Sequence, residues 1–403
     1  MRKLRGTVNH KKYPTTLRPK KRSWSSSFKT LFSSSRGNSN INYGRPDFPF
    51  LVTVFILLAF GLFMVYDASA VKAFYDFGDG FRFLKYQAMW IGVGLILFYI
   101  FQKIDYHIFE SLAVPIMIGT IVLLILVLIP GVGTEIYGAK RWIFGIQPSE
   151  FTKISVIIYF ATWLTKKTKS KIKSHSFEIF LPFLFMIGIV AILLLLEPDL
   201  GTTVIIFGSS LLVYFLSGSQ IWQFILSIPF LLLAGVGLIV LSPYRQARLL
   251  AFLAPSTDPG GISYHINQVL IALGSGGLTG LGLGSSRQKY QYIPEVYADS
   301  IFAIIGEEFG FIGTVIVILI FAFLFWRGWK IIENAPDEFG KLLSAGIIFW
   351  ITLQVIVNIG AMTAIFPLTG IPLPFISYGG SALLSIMIGV GILTNISKQG
   401  NRR

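Results

Sequence analysis

The sequence has no cysteine and only four histidines among its 403 residues. Without cysteine there is neither a disulfide framework nor a thiolate metal site. The histidines, which are His10, His107, His175 and His265, are scattered and lack the paired spacing of a metal-ligand set. The chain also lacks the phosphate-binding loop pattern and a G-x-G-x-x-G fingerprint after a strand. These absences argue against nucleotide hydrolysis by this chain.

Charged residues are scarce as well, at 13% of the chain, whereas 54% of the residues are hydrophobic and the mean hydropathy is +0.70. A soluble domain holds roughly 45–50% apolar residues with glycine included. Because about 20 apolar residues are enough to cross a bilayer, the recurring apolar runs predict an all-α integral membrane protein. Its ten predicted transmembrane helices are 48–66, 84–102, 109–130, 150–165, 179–197, 200–217, 221–242, 300–326, 342–364 and 380–396.

The net charge of +15 comes mainly from the N-terminal segment. Residues 1–46 hold twelve Lys and Arg and no acidic residue, which leaves 22 basic and 19 acidic residues for the rest of the chain. A polybasic, Ser-rich segment cannot bury a core, so we predict a disordered cytoplasmic tail attracted to anionic lipid rather than a nucleic-acid arm. The tail is too long and polar for a cleaved signal peptide, and the first span should act as an uncleaved anchor.

The basic loops predict the orientation of the ten-helix membrane domain, residues 47–397. The tail, the lysine cluster at 166–173 and the C-terminal residues 398–403 all fall on one side of the predicted spans. The positive-inside rule makes that side cytoplasmic, so both termini are predicted to be cytoplasmic. The large polar stretch 243–299, between helices seven and eight, then becomes an extracellular loop.

This outer loop carries the most plausible chemistry. Arg245 and Arg248 stand at its start, three residues apart, and share a face if the segment is helical; anchoring to lipid headgroups is the alternative role for them. Glu295 and Asp299 stand at its end. Asp299 directly precedes an apolar helix, where an ionisable group is costly and therefore a functional candidate.

A second charged group is predicted inside the membrane. The order QPSEFTK over residues 147–153 is typical of a helix start, because Pro148 suits the first turn and Glu150 suits the positive helix end. Lys153 then lies within a span and needs a carboxylate. Glu150 lies one turn away, and Asp199 lies on the same predicted outer side. We predict a Lys153–Asp199 pair, with unaided snorkelling of Lys153 as the alternative.

Six blocks of sequence resemble the signature blocks of the SEDS family of peptidoglycan polymerases, and they occur in family order. They are GAKRW (138–142), QPSEFTK (147–153), EPDLGT (197–202), DPGGISYHINQ through GSGGLTGLGLG (258–284), YIPEVYADSIFAIIGEEFGFIG (292–313) and TGIPLPFISYGGSAL (369–383). The segments SSRQKYQYIPE and IIGEE are more similar to the cell-division branch of the family than to its elongation branch.

The resemblance implies a ten-helix glycosyltransferase that polymerises lipid II at the outer face of the bacterial cytoplasmic membrane and releases undecaprenyl pyrophosphate. It also implies a class B penicillin-binding protein as transpeptidase partner, together with other division proteins. The family's essential aspartate falls on Asp299, its extracellular tryptophan on Trp142, and its intramembrane Lys–Asp pair on Lys153 and Asp199. The chain departs from the family at 298–300, where Ala-Asp-Ser replaces the usual Thr-Asp-Phe.

The implied reaction needs one base and one source of positive charge. A sugar hydroxyl attacks an anomeric carbon that carries pyrophosphate, and Asp299 can take the hydroxyl proton as general base. Arginine and lysine on the outer side would stabilise the pyrophosphate, and a divalent cation, Mg or Mn, is left open because no residue cluster indicates it. The predicted substrate-binding residues are Trp142, Arg141, Arg245, Arg248, Lys289 and Glu295.

Three alternatives remain at this point. The chain could be an elongation polymerase, a scaffold without activity, or a transporter that moves lipid II across the membrane. Transport would use intramembrane groups such as Lys153, Asp199 and Glu307, whereas polymerisation places the essential groups in the outer loops. Substitution of Asp299 separates these alternatives, because only a polymerase should lose glycan synthesis.

Overall fold

The computed structural model describes residues 44–136, 139–169, 177–219, 243–254, 262–290 and 292–400, together with Trp222, Gln223, Ile225, Gly235, Gly237 and Val240. Four predictions therefore lie wholly or largely outside the described residues. These are the tail 1–46, the span 221–242, the turn 258–261 and the tip of the C-terminal tail at 401–403.

The described chain is almost entirely helical. Three helices come first, at α1 (Phe48–Phe77), α2 (Arg82–Phe101) and α3 (His107–Leu128), and an antiparallel hairpin follows, formed by β1 (Thr134–Ile136) and β2 (Ala139–Trp142). The remaining helices are α4 (Pro148–Lys169), α5 (Phe177–Leu196), α6 (Leu200–Leu216), α7 (Pro243–Leu253), α8 (Ile262–Ser275), α9 (Ile301–Glu333), α10 (Glu338–Met362) and α11 (Gly380–Gly400).

Seven of the described helices are long and apolar enough to cross a bilayer, namely α1, α2, α3, α5, α9, α10 and α11. The helix α6 is apolar but shorter, and α4 carries several charged side chains. The prediction of an all-helical, multi-pass membrane protein is confirmed. The count of ten spans and the cytoplasmic position of both termini stay predictions.

The helices α10 and α11 form the centre of the bundle, because their apolar segments are the most deeply buried of the seven. The indole of Trp350 on α10, for example, is fully buried. The start of α1 is fixed to α11 at one end of the bundle, because the Asp47 N–H donates to the Ser397 hydroxyl at 2.9 Å. The Asp47 carboxylate caps α1 by accepting from the Phe50 N–H at 3.0 Å. The same carboxylate pairs with Arg327 near the end of α9.

The helix α9 is interrupted at Gly310, whose φ of 65° and ψ of −164° are not helical. The segment 277–282 fills the break, since its N–H groups donate to the carbonyl oxygens of Glu307 and Glu308 at 3.0 and 3.1 Å. Its carbonyl oxygens accept from N–H groups just after the break at 2.9 and 3.1 Å. These four hydrogen bonds therefore give protein partners to backbone groups that the break leaves without helical partners, as an apolar environment requires. The pairing attaches the segment that follows α8 to the first turns of α9.

Candidate active site

Asp299 lies immediately before α9, where three parts of the chain meet. Its backbone carbonyl accepts from the side-chain amide of Asn358 on α10 at 2.8 Å, and the same amide donates to the carbonyl of Ile371 at 2.7 Å. The carboxylate oxygen Oδ2 is turned toward Gly370, where an added Cβ would lie 3.9 Å away. Gly370 has a φ of 69°, a backbone conformation that favours glycine. The loop before α11 can thus pass close to the carboxylate.

The other carboxylate oxygen is linked to a histidine from a different helix. The hydroxyl of Ser300 lies 3.3 Å from Asp299 Oδ1 and 2.8 Å from Nε2 of His265 on α8. Ser300 is fully buried, whereas Asp299 and His265 are half-buried. The three side chains form one hydrogen-bonded chain that joins the start of α9 to the first turn of α8.

The surroundings shift the pKa values of Asp299 and His265 in the directions that favour their neutral forms. Burial raises the pKa of Asp299 above its usual value, while the charge of His265 and the hydrogen bond from Ser300 oppose this rise. Burial lowers the pKa of His265, with the positive charge of Arg248 acting in the same direction and Asp299 opposing it. A carboxylate with a raised pKa is closer in basicity to the neutral range, which suits a general base.

The two predicted arginines lie on the helix α7, but they bind different neighbours. Arg248 donates to the carbonyl of Leu368 at 3.1 Å and acts electrostatically on His265. Arg245 donates to the carbonyl of Leu195, at the end of α5, at 3.1 Å. Both also have further interactions. Of the two, Arg248 is the one that the structure brings into the group around Asp299.

The predicted residues Arg141 and Trp142 lie on β2 of the hairpin. Arg141 donates through Nε to the carbonyl of Glu197 at 2.9 Å and through Nη2 to that of Pro198. These bonds attach the hairpin to the turn between α5 and α6. Trp142 is half-buried, and its carbonyl accepts from the Thr134 hydroxyl across the hairpin at 3.0 Å. The contacts described for this hairpin do not connect it with Asp299.

Lys289 is enclosed between two carboxylates. Its ammonium lies 3.1 Å from Asp67 Oδ1 on α1 and 3.1 Å from Glu308 Oε1 on α9, and only 5% of the residue is exposed. This geometry does not support the predicted contact with pyrophosphate, because the charge is already neutralised and buried. Lys289 instead fixes the segment between α8 and α9 to α1 and α9.

Glu295 is also tied to α1. Its carboxylate lies 3.0 Å from the ammonium of Lys72, and both side chains are about one third exposed or less. Its φ of 47° places it in the left-handed region, which is uncommon for a residue other than glycine. The negative charge of Glu295 acts on Asp299 and raises the pKa of that carboxyl further. The Lys72–Glu295 pair thus marks the α1 side of the site.

The predicted Lys153–Asp199 pair is not formed. Lys153, of which 1% is exposed, donates to Glu150 Oε1 and Oε2 at 2.8 and 2.9 Å and to Gln354 Oε1 at 3.1 Å. Glu150 has the advantage because it lies three residues earlier on the same helix, where the side chains are neighbours. The lysine is buried rather than snorkelling to the surface.

Asp199 is engaged in a different task. Its carboxylate caps α6 by accepting from the Thr202 N–H at 3.1 Å. It also accepts from the Ser149 hydroxyl at 3.1 Å and from the Gln147 amide at 3.3 Å. These three donors satisfy the buried carboxylate without a lysine, and they connect the start of α4 to the start of α6.

Sequence reasoning missed three residues of the site: His265, Ser300 and Asn358. His265 stands inside one of the quoted blocks, but we considered histidine only as a metal ligand. Ser300 was noted only as a departure from the family pattern. Asn358 could have been found as an amide placed within the long apolar run of α10, where a polar group needs partners.

The comparisons with known proteins agree over nearly the whole chain. A family model for FtsW, RodA and SpoVE, described as "Cell cycle protein", matches residues 49–402. Stage V sporulation protein E of Bacillus subtilis is 42% identical over 88% of this chain and 97% of its own length. A probable peptidoglycan glycosyltransferase FtsW of Trichlorobacter lovleyi is 42% identical over 87% of this chain and 93% of its own length.

Solved structures show the same fold. One, from work on the structural coordination of polymerization and crosslinking by a peptidoglycan synthase complex, aligns with a TM-score of 0.72 at 27% identity and covers 89% of this chain and 99% of that chain. The crystal structure of the Thermus thermophilus rod shape determining protein RodA aligns with a TM-score of 0.63 at 25% identity and covers 87% of this chain and 96% of that chain.

Proposed function

This chain belongs to the FtsW/RodA/SpoVE family of cell cycle proteins, and on that premise we propose that Asp299 is the general base of its glycosyl transfer reaction. Relatives of 39–42% identity are named as probable peptidoglycan glycosyltransferases, and this chain is a peptidoglycan glycosyltransferase. The observation that carries the proposal is the half-buried Asp299 carboxylate at the start of α9, which accepts from the Ser300 hydroxyl while the Asn358 amide holds the Asp299 backbone carbonyl.

The reaction joins the sugar of one lipid II to a glycan carried on another. The attacking hydroxyl oxygen forms a bond to the anomeric carbon, the bond from that carbon to pyrophosphate breaks, and Asp299 takes the hydroxyl proton. Undecaprenyl pyrophosphate leaves with the bonding electrons. Because pyrophosphate is a good leaving group, the acidic second carboxyl of a glycosidase is not needed.

The leaving group needs positive charge, and Arg248 is the residue that we propose for it. Arg248 lies within electrostatic reach of His265, which is linked to Asp299. Its guanidinium presents donors in a planar fork suited to phosphate oxygens. Arg245, which contacts the end of α5, and Arg141 and Trp142 on the hairpin are proposed as outer contacts of the lipid-linked sugars.

We propose that the reaction occurs at the outer face of the bacterial cytoplasmic membrane. The cluster of basic residues in the tail and after α4 supports this orientation by the positive-inside rule. A solved relative belongs to a complex that couples polymerization to crosslinking. This supports a class B penicillin-binding protein, and with it other division proteins, as partners of this chain.

Division is the process favoured within the family. Several relatives of 39–42% identity carry the FtsW name, and the sporulation relative is equally similar, whereas the aligned RodA structures are 25% identical. The transport alternative is weakened by the groups it would use. Lys153 is bound by Glu150 and Gln354, and Glu307 accepts a hydrogen bond from the Ser286 hydroxyl and others from the N–H groups that follow it.

The test is polymerisation of purified lipid II by the full chain with its transpeptidase partner. Asp299→Asn keeps the shape of the side chain but removes the base, and we expect a loss of about 100-fold or more in glycan synthesis. Asp79→Asn, an exposed aspartate paired with Lys85, is the matched control and should polymerise normally. Normal polymerisation by Asp299→Asn would contradict the assignment. A chelator added to the wild-type reaction tests the divalent cation that the sequence leaves open.

A further inference from the structure

Ser300 joins two titratable side chains that come from different helices. Its hydroxyl lies 3.3 Å from Asp299 Oδ1 and 2.8 Å from His265 Nε2. A serine hydroxyl carries one proton and can accept as well as donate. When it donates to the ionised carboxylate, it accepts from the N–H at Nε2 of a neutral His265. The chain of hydrogen bonds thus holds Oδ1 and leaves Oδ2 on the side of Gly370.

Charged side chains act on this chain of hydrogen bonds from two further directions, and a neutral group contacts it from a third. Arg248 on α7 acts on His265. Glu295 acts on Asp299 and is itself paired with Lys72 on α1. From α10, a neutral amide binds the Asp299 backbone. Of these groups, His265 is the titratable one that is linked to the carboxylate through hydrogen bonds, by way of Ser300.

We propose that Ser300 and His265 are positioning residues for Asp299: they hold the carboxylate in one rotamer and favour its ionised form. This inference rests on the proposed function of Asp299 as base. It assigns a role to the serine at the position where the chain departs from its family pattern. It also assigns a role to the only histidine among the described residues that contacts the site, and that role needs no metal.

Two effects are expected when this chain of hydrogen bonds is broken. A carboxylate that is free to rotate spends less time in the reactive geometry, and a misplacement of 1 Å can cost about 100-fold in rate. In addition, the Ser300 hydrogen bond lowers the pKa of Asp299, and His265 lowers it as well when its ring is protonated. The base works only when ionised, so activity is lost as pH falls through this pKa. Removing either group should move that loss to higher pH.

The experiment measures kcat and KM for lipid II polymerisation against pH, with the full chain and its partner. Ser300→Thr and Ser300→Val have the same shape and differ in the hydroxyl. We expect Ser300→Val to lower kcat by about 10- to 100-fold with little change in KM, and to move the acid limb to higher pH. Ser300→Thr should restore most of kcat and the wild-type acid limb.

His265→Gln separates the hydrogen bond from the charge. The glutamine amide places a donor where Nε2 lies but cannot become charged, so kcat should fall less than in Ser300→Val while the acid limb still moves to higher pH. Ser111→Ala, an exposed serine on α3, is the control and should leave both parameters unchanged. Size-exclusion profiles of all variants report whether they fold.

Two results would overturn the inference. One is a wild-type kcat and acid limb in both Ser300→Val and His265→Gln while Asp299→Asn is inactive; the base assignment would then stand and the positioning role would fall. The other is a uniform loss of kcat with an unmoved acid limb, which would show a structural role alone. Activity in Asp299→Asn would instead contradict the proposed function itself.

Discussion

Replacing Lys153 with methionine should destabilise the protein by about 3–5 kcal/mol, because it leaves a buried carboxylate without its partner. The Glu150 side chain is 5% exposed and the Lys153 side chain is fully buried, and their N–O distance is 2.8 Å. Glu150→Gln should cost a similar amount, since it leaves the ammonium uncompensated. The double variant removes both charges, so its loss should be about 2–3 kcal/mol smaller than the sum of the two single losses.

The strength of the interaction between Lys153 and Glu150 is measured with a double-mutant cycle. For the Lys153–Glu150 pair we expect a coupling free energy of about 2–3 kcal/mol, at the upper end for residues in direct contact. For Lys153 with Asp199 we expect the two losses to add within about 0.5 kcal/mol. The reason is that Asp199 is satisfied by Thr202, Ser149 and Gln147.

Reversible unfolding in mixed micelles, followed by tryptophan fluorescence, is a suitable assay. Trp350 is fully buried and donates to Gln354 at 3.0 Å, the same amide oxygen that binds Lys153. Its emission therefore reports on this region. A coupling to Asp199 that exceeds the coupling to Glu150 would refute the pairing seen in the structure.

Two further predictions concern other parts of the fold. Gly310→Ala should lower the unfolding temperature, because a φ of 65° with a ψ of −164° is strained for any L side chain and the segment 277–282 packs against Gly310. Gly92→Ala, where the space is open, is the control. An unchanged unfolding temperature in Gly310→Ala would contradict the account of the break. Hydrogen bonds from His107 lower the pKa of Asp105 to about 2, and against burial they also help to lower that of Asp337 to about 2. Carboxylates with depressed pKa values stabilise the fold above about pH 4 and lose that contribution as pH falls toward 2. His107→Gln should therefore make the fall in unfolding temperature between about pH 4 and pH 2 less steep. An equally steep fall in this variant would argue against the stabilising role of the hydrogen bonds between His107 and the two carboxylates.

The positions of the spanning helices could be predicted from the sequence because about 20 apolar residues cross a bilayer, but two ends were wrong, since α1 continues to Phe77 rather than 66 and α9 to Glu333 rather than 326. Each described spanning helix begins within a few residues of its predicted start. The helix expected around Arg245 and Arg248 is present as α7. The position of Asp299 next to α9 was visible because a carboxylate directly preceded a long apolar run.

The partners of buried charges could not be predicted in the same way. Lys153 had two candidate carboxylates, Glu150 and Asp199. The structure uses Asp199 as the cap of α6, and the geometry of that turn is not visible in the sequence. Lys289 looked like an outer cation, but the break at Gly310 brings its segment back onto α9 and against Asp67. His265 was missed because its partner is 35 residues away and on another helix.

The absence of cysteine from the chain permits a direct test of the carboxylate at position 299. In Asp299→Cys, alkylation with iodoacetate adds a carboxylate two bonds beyond the position of the native one, whereas iodoacetamide adds a neutral group of almost the same shape. Polymerisation of lipid II should be absent before treatment, return in part after iodoacetate and stay absent after iodoacetamide. Equal activity after the two reagents, or full activity in the untreated variant, would contradict the claim that a carboxylate at this position is the base.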